Sequence, residues 1–182
     1  MLVCVPVASM AAWQLELSTW APGLAVVCYA GDSRSRKIIR NHVCENSKGE
    51  LTFNVLLTDY ELVCKDRSFF QDIVWSNIVL DEAHRLKDKD SMLYKVLTGL
   101  ESHHRLLLTG SPPLNKLEVL WCMLTFLKLE NIDVGSWEEF EATYGSKTRT
   151  RYSGHVKLQA LIKPFVIRRR KKGVGESLPW LQ

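Results

Sequence analysis

The sequence has 182 residues, 46% apolar and 24% charged, enough for one globular domain with its own core and unlike a disordered or fibrous chain. No stretch reaches the roughly 18 unbroken apolar residues of a membrane span, and the apolar opening at 1–6 lacks a basic region, so neither a span nor a signal peptide is expected. Net charge is +4, and the excess lies in residues 163–182, with six Lys/Arg against one acid, whereas 1–162 hold eighteen against nineteen.

Residues 2–5 predict a strand ended by Pro6. Ser9 is placed to cap a helix through Trp20, with Trp13, Leu17 and Trp20 along one face. Pro22-Gly23 breaks that helix, and 25–29 form a second strand closed by Gly31-Asp32. A basic helix follows at 33–42, then a polar loop at 45–50. Residues 53–58 predict a third strand, 60–65 a short helix and 77–80 a fourth strand. A charged loop at 85–91 leads into a helix at 92–100, and 105–108 form a fifth strand. Leu117, Leu120, Trp121, Leu124 and Leu127 recur at helical spacing and make the clearest amphipathic helix in the chain. Ser136 and Glu139 form a capping box for a helix to about Tyr144. A basic loop at 145–151 precedes a helix at 156–162, stopped by Pro164.

Strands alternate with helices at least four times. That pattern predicts an α/β fold, a mainly parallel sheet with helices on both faces. The charge shift places a boundary near Lys163, giving a lobe at 1–162 and a basic segment at 163–182. The five cysteines show no CxxC spacing, so zinc has little support, and their odd count fits reduced thiols of the cytosol or nucleus. Cys4, Cys28, Cys64 and Cys122 sit among apolar neighbours and are expected in the core.

The chemistry gathers after the fourth strand, in Asn77-Ile78-Val79-Leu80-Asp81-Glu82-Ala83-His84. Open α/β sheets bind ligands at the carboxyl ends of their strands. Adjacent carboxylates there suit Mg²⁺ and an attacking water; a solvated strand-to-helix turn is the plainer alternative. The fifth strand, again read as buried, runs into Leu108-Thr109-Gly110-Ser111-Pro112. Parallel strands ending this way can bring Glu82 or His84 near Thr109 and Ser111, although a Gly-Pro turn alone would also explain that segment. His103-His104 reads as a surface turn, and the helix with Trp121 and Phe126 as core.

Together, Asp81-Glu82-Ala83-His84 and Leu108-Thr109-Gly110-Ser111-Pro112 resemble motifs II (a DEAH box) and III of superfamily-two helicase-like ATPases. Val5-Pro6 with Ala12-Trp13-Gln14 and Trp20-Ala21-Pro22 looks like motif Ia and its helix, and Leu56-Leu57-Thr58-Asp59-Tyr60-Glu61 like the motif-Ib region. His84-Arg85-Leu86-Lys87, Asn115 to Trp121, Pro164 to Arg169 and Ser177-Leu178-Pro179 are similar to the chromatin-remodelling branch, nearest its chromodomain-helicase-DNA-binding type. The resemblance implies a partial RecA-like lobe of a nuclear, ATP-driven motor that translocates on double-stranded DNA and shifts nucleosomes with a second ATPase lobe. It implies ATP and Mg²⁺ as cofactors. Asp81 would coordinate the metal, Glu82 would polarise the attacking water and His84 would couple the nucleotide site to the motor. Thr109, Gly110 and Ser111 would relay hydrolysis to DNA grip, and Ser9 and Thr58 would touch strand phosphates.

The sequence also departs from that pattern. No G-x-x-x-x-G-K-[ST] segment occurs, so the Walker-A strand and its phosphate cradle are expected to be lacking and the chain alone to be inactive. Pro113-Leu114 replace the aliphatic and Gln that follow motif III. Two other readings stay open: a non-catalytic fragment that binds DNA or a partner, and a metal-dependent hydrolase using Asp81, Glu82 and His84. The run Arg168-Arg169-Arg170-Lys171-Lys172 suits DNA phosphates, a nuclear import address or a solvated linker.

Overall fold

A computed structural model describes residues 1–44, 50–110, 116–129, 132–145 and 151–168 of the chain. Strand β1 (Leu2–Val5) feeds a 3-10 turn at Val7–Ser9 and then helix α1 (Met10–Trp20). Next come β2 (Val26–Tyr29) and α2 (Ser33–Ile38), which runs on as a π-helical turn at Ile39–Cys44. Strand β3 (Val55–Asp59) leads into α3 (Tyr60–Lys65) and α4 (Arg67–Gln71). Strand β4 (Trp75–Leu80) ends in a 3-10 turn at Ala83–Arg85, followed by α5 (Met92–Gly99) and β5 (Ser102–Leu107). Helices α6 (Leu117–Leu127), α7 (Trp137–Tyr144) and α8 (Arg151–Ile162) complete the described chain.

The five strands form one all-parallel sheet in the order β2-β3-β1-β4-β5. Parallel neighbours need crossovers, and the helices between strands supply them. β1 lies at the centre with all four residues buried. Its register sets Val5 opposite Asp59, and Cys4 between Thr58 and Leu80. The carboxyl ends of β1, β3 and β4 therefore stand side by side.

Alternation divides the strand residues between two cores. Leu2, Cys4, Leu56, Ile78 and Leu80 pack toward α3, α4, α5 and α6, with Phe70, Trp75, Leu97 and Phe126 fully buried among them. Val3, Val5, Val55, Leu57 and Val79 face the other way, under Met10, Trp13 and Leu17 of α1. Helices thus cover both faces, as the alternating pattern predicts. Cys4, Cys44 and Cys122 are buried, while Cys28 and Cys64 are only partly so.

A polar corner holds α2 to the end of β2. Asp32 caps α2 by accepting from the Ser35 amide at 2.7 Å. Arg36 donates to Asp66 at 2.6 Å and to the Gly31 carbonyl at 2.7 Å. Gly31 takes φ +99°, which a side chain would strain. The Tyr29 hydroxyl donates to Asp66 at 2.7 Å and accepts from Arg40. Burial, together with its bond to Asp66, pushes the Tyr29 phenol up to about 12.

Several local readings are corrected. Ser9 does not cap α1 through its side chain, because the chain is already helical from Val7 and Pro6 holds the cap position. Helix α4 was not expected. Helix α8 starts at Arg151, ahead of the expected 156. β5 begins at Ser102, so His103 and His104 belong to a strand, not a turn. β5 is also one of the sheet's two outer strands among the described residues, and Leu106 is 52% exposed rather than buried.

The chain divides into two compact units, Met1–Trp137 and Glu138–Gln182. In the second, Phe140 packs on Tyr144 at 4.8 Å between ring centres. Gly154 lets α8 approach the Tyr144 backbone, where a Cβ would lie 3.2 Å from the carbonyl oxygen. Ser111, Asn115 and residues 169–182, with most of the basic run, lie outside the described residues. No helix among those described is long and apolar enough to cross a membrane.

Candidate functional site

β4 delivers Asp81 and Glu82 to the carboxyl edge of the sheet. The Asp81 amide donates to the Cys4 carbonyl of β1 at 2.9 Å, extending the strand pairing by one residue. Glu82 then adopts a left-handed conformation, φ 51° and ψ 49°. That costs a non-glycine residue about 1 kcal/mol or more, and such residues gather at functional turns. The twist lets the Ala83 amide reach the Leu108 carbonyl at 2.9 Å, while the Leu108 amide donates to the Leu80 carbonyl at 2.8 Å. The acidic turn and the end of β5 are thereby joined by backbone bonds. Thr109 and Gly110 follow directly after Leu108.

Both Asp81 carboxylate oxygens are held by neutral donors. The Glu82 amide donates to Oδ1 at 2.9 Å, and the Trp13 indole N–H of α1 donates to Oδ2 at 2.9 Å. The Tyr60 hydroxyl of α3 donates to the Asp81 carbonyl. Burial, then the nearby Cys4 and Asp81, push the Tyr60 phenol far above its ordinary value, which keeps that hydroxyl a donor. Glu82 is half-exposed, and His84 Nδ1 lies 3.1 Å from Glu82 Oε2. Asp81 and Glu82 thus offer oxygen ligands at one rim, a donor set that fits Mg²⁺ held partly through water. The 182 residues contain no Gly-Lys-Thr segment.

Beside this turn is a small cavity of about 190 Å³, lined by Val5 to Ala8, Asp59, Tyr60, Glu61 and Arg85. By helix geometry the first amides after Pro6 have no carbonyl one turn back, so the Val7 end is the positive end of a helical run. Arg85 stacks over the Tyr60 ring at 5.4 Å. Asp59 is spoken for, since it accepts from the Glu61 and Leu62 amides at 2.8 and 3.0 Å and so caps α3. Ser9 directly follows Ala8 of the cavity lining and is partly exposed. Thr58 is different: it is fully buried and its hydroxyl donates to the Tyr29 carbonyl at 3.0 Å. Its side chain has no path to a phosphate and instead locks β3 to β2.

Sequence reasoning missed Trp13 and Tyr60 as partners of Asp81. Each had been read as part of a helix, and no spacing rule links either to a carboxylate 68 or 21 positions away.

A family profile described as the SNF2-related domain matches residues 1–181. Chromodomain-helicase-DNA-binding protein 1 of Gallus gallus is 45% identical over 98% of this chain, and its Homo sapiens counterpart 44%. The chain spans 10% of the length of either relative. Among solved structures, the Sulfolobus solfataricus SWI2/SNF2 ATPase core in complex with double-stranded DNA superposes with a TM-score of 0.79 at 30% identity, covering 98% of this chain and 36% of that one. The sheet order, the helices on both faces and these matches agree: the fold is a RecA-like lobe, and the chain belongs to the SNF2-related domain family.

Proposed function

We propose that this chain is a first-lobe segment of an ATP-dependent chromatin remodeller, a nuclear DNA translocase that acts on nucleosomes. The carrying observation is the Asp81-Glu82 turn, set at the carboxyl edge of a parallel sheet beside the ends of β1 and β3. In this reading Asp81 holds Mg²⁺, Glu82 orients the attacking water, and His84 steadies Glu82 and couples it to the rest of the motor. Thr109 and Gly110, joined to the turn through Leu108, carry its state along β5, with Ser111 beyond them. Ser9, the Val7 end of the helical run and Arg85 meet strand phosphates at the neighbouring cavity. Phosphate contacts place a protein on DNA without reading sequence, as translocation requires. The sequence lacks the loop that cradles β- and γ-phosphates, so the reading assigns this chain the metal and water side of the site and the DNA surface, not turnover by itself.

The test is binding of labelled double-stranded DNA, followed by anisotropy at several salt concentrations, with ATP hydrolysis measured in parallel. Expected are duplex binding that weakens with salt, with a log–log slope of about −0.9 per phosphate contacted, a slope reduced in Arg85→Ala, and no ATP turnover. Failure to bind duplex would remove the DNA surface. DNA-stimulated hydrolysis that Glu82→Gln abolishes would show the chain to be a complete enzyme.

A further inference from the structure

We propose that Trp13 is a positioning residue that links the phosphate-facing end of α1 to the carboxylate of Asp81. The inference rests on the reading of the β1/β3 rim as a nucleic-acid surface and goes beyond it by naming the connection. Asp81 has three ties besides its strand pairing, and they differ in kind. The Glu82 amide is its own chain neighbour and is always present. Tyr60 holds only the Asp81 backbone carbonyl. Among the described residues, the Trp13 indole alone is seen to reach the carboxylate from another element. Without it, Oδ2 keeps no donor among the described residues, and the carboxylate is held through Oδ1 alone.

Helix α1 is suited to carry such a signal. Trp13 stands one turn after Ser9, and a helix advances only ~1.5 Å per residue, so the rim and the indole lie within ~10 Å of each other. None of the residues of α1 is fully buried, unlike those of α3, α5 and α6. It can therefore shift at lower cost than the helices of the opposite face. An anionic backbone drawn to the Val7 end moves the same rigid rod that holds Oδ2. An indole N–H is a donor only, so it steadies the carboxylate without a proton exchange and leaves the other lone pairs open to a metal's waters.

A purely packing role for Trp13 makes a different prediction. The chain is labelled with nitrogen-15 tryptophan, and the Trp13 indole resonance is assigned by its loss in Trp13→Phe. A short double-stranded DNA is the probe, with binding followed independently by anisotropy. The expected result is that Asp81→Ala moves the Trp13 resonance, that duplex moves it in the wild type, and that duplex no longer moves it in Asp81→Ala. Coupling is reciprocal, so Trp13→Phe is also expected to change duplex affinity by about two- to tenfold. Duplex that binds while the Trp13 resonance stays in place overturns the coupling and leaves the DNA reading standing. Duplex that fails to bind by anisotropy overturns the DNA reading, and the coupling with it. Should Trp13→Phe not fold, the indole resonance is assigned instead by linking it to the Trp13 backbone in triple-resonance spectra, and the Asp81→Ala comparison decides.

Discussion

The two faces of the sheet are built to different standards. On one, 22 described residues form a continuous buried cluster under four helices; on the other, five strand residues lie beneath α1. The dense face contains Phe70, Trp75 and Tyr29 in a chain of ring contacts at 5.3 to 6.3 Å. The sparse face relies on Met10, Trp13 and Leu17, all partly exposed. Among the described residues the buried apolar packing is concentrated on the first face, and in the proposed reading the second responds to what binds at its rim. A site that must both hold shape and register a ligand gains from standing on the border between them, where Asp81 stands.

The comparison breaks most visibly through Phe70. Phe70→Ala empties a fully buried site beside Trp75 and is expected to cost about 3–5 kcal/mol, read by urea denaturation. Next in size is the polar corner. Asp66→Asn leaves Arg36 without its charged partner in a largely buried setting, an expected loss of roughly 2–3 kcal/mol. Burial alone would raise the Asp66 carboxyl, but the bonds from Arg36 and Tyr29 outweigh it and hold it below its ordinary value. Its contribution is therefore full above the unfolded value of about 4 and is lost as pH falls through the lower folded value. Thermal melts at neutral and acid pH should show that loss in the wild type and a weaker one in Asp66→Asn. The smallest effect belongs to the sparse face: Leu17→Ala is expected to cost only about 1 kcal/mol, because its side chain is part-exposed already. A Leu17→Ala penalty equal to that of Phe70→Ala would show the two faces to be equally tight.

The strands were legible because short apolar runs end abruptly in Pro6, in Gly31-Asp32 and in Asp81-Glu82. Helix α6 was legible through its five spaced apolar residues. Helix α4 was not, since five residues are too few to show a period. The run Leu106-Leu107-Leu108 looked buried, yet burial of a strand depends on its place in the sheet, and an outer strand leaves Leu106 in solvent. At the site, the acidic pair could be read from the end of one strand. Thr58 misled, because a hydroxyl at a strand's end suggests a ligand contact while the structure spends it on the Tyr29 carbonyl. Trp13 misled in the opposite sense. Its ring was placed correctly among apolar neighbours, but the direction of its N–H is a tertiary fact.

Among the described residues β5 pairs on one side only, with β4, and its six residues include the exposed Leu106 and two histidines. An open strand edge is a template for another strand. In handling, this makes concentration the variable to watch: light scattering over a dilution series is expected to show association that grows with chain concentration. A single charge at position 106, facing solvent, would discourage that traffic without touching the dense core or the acidic turn.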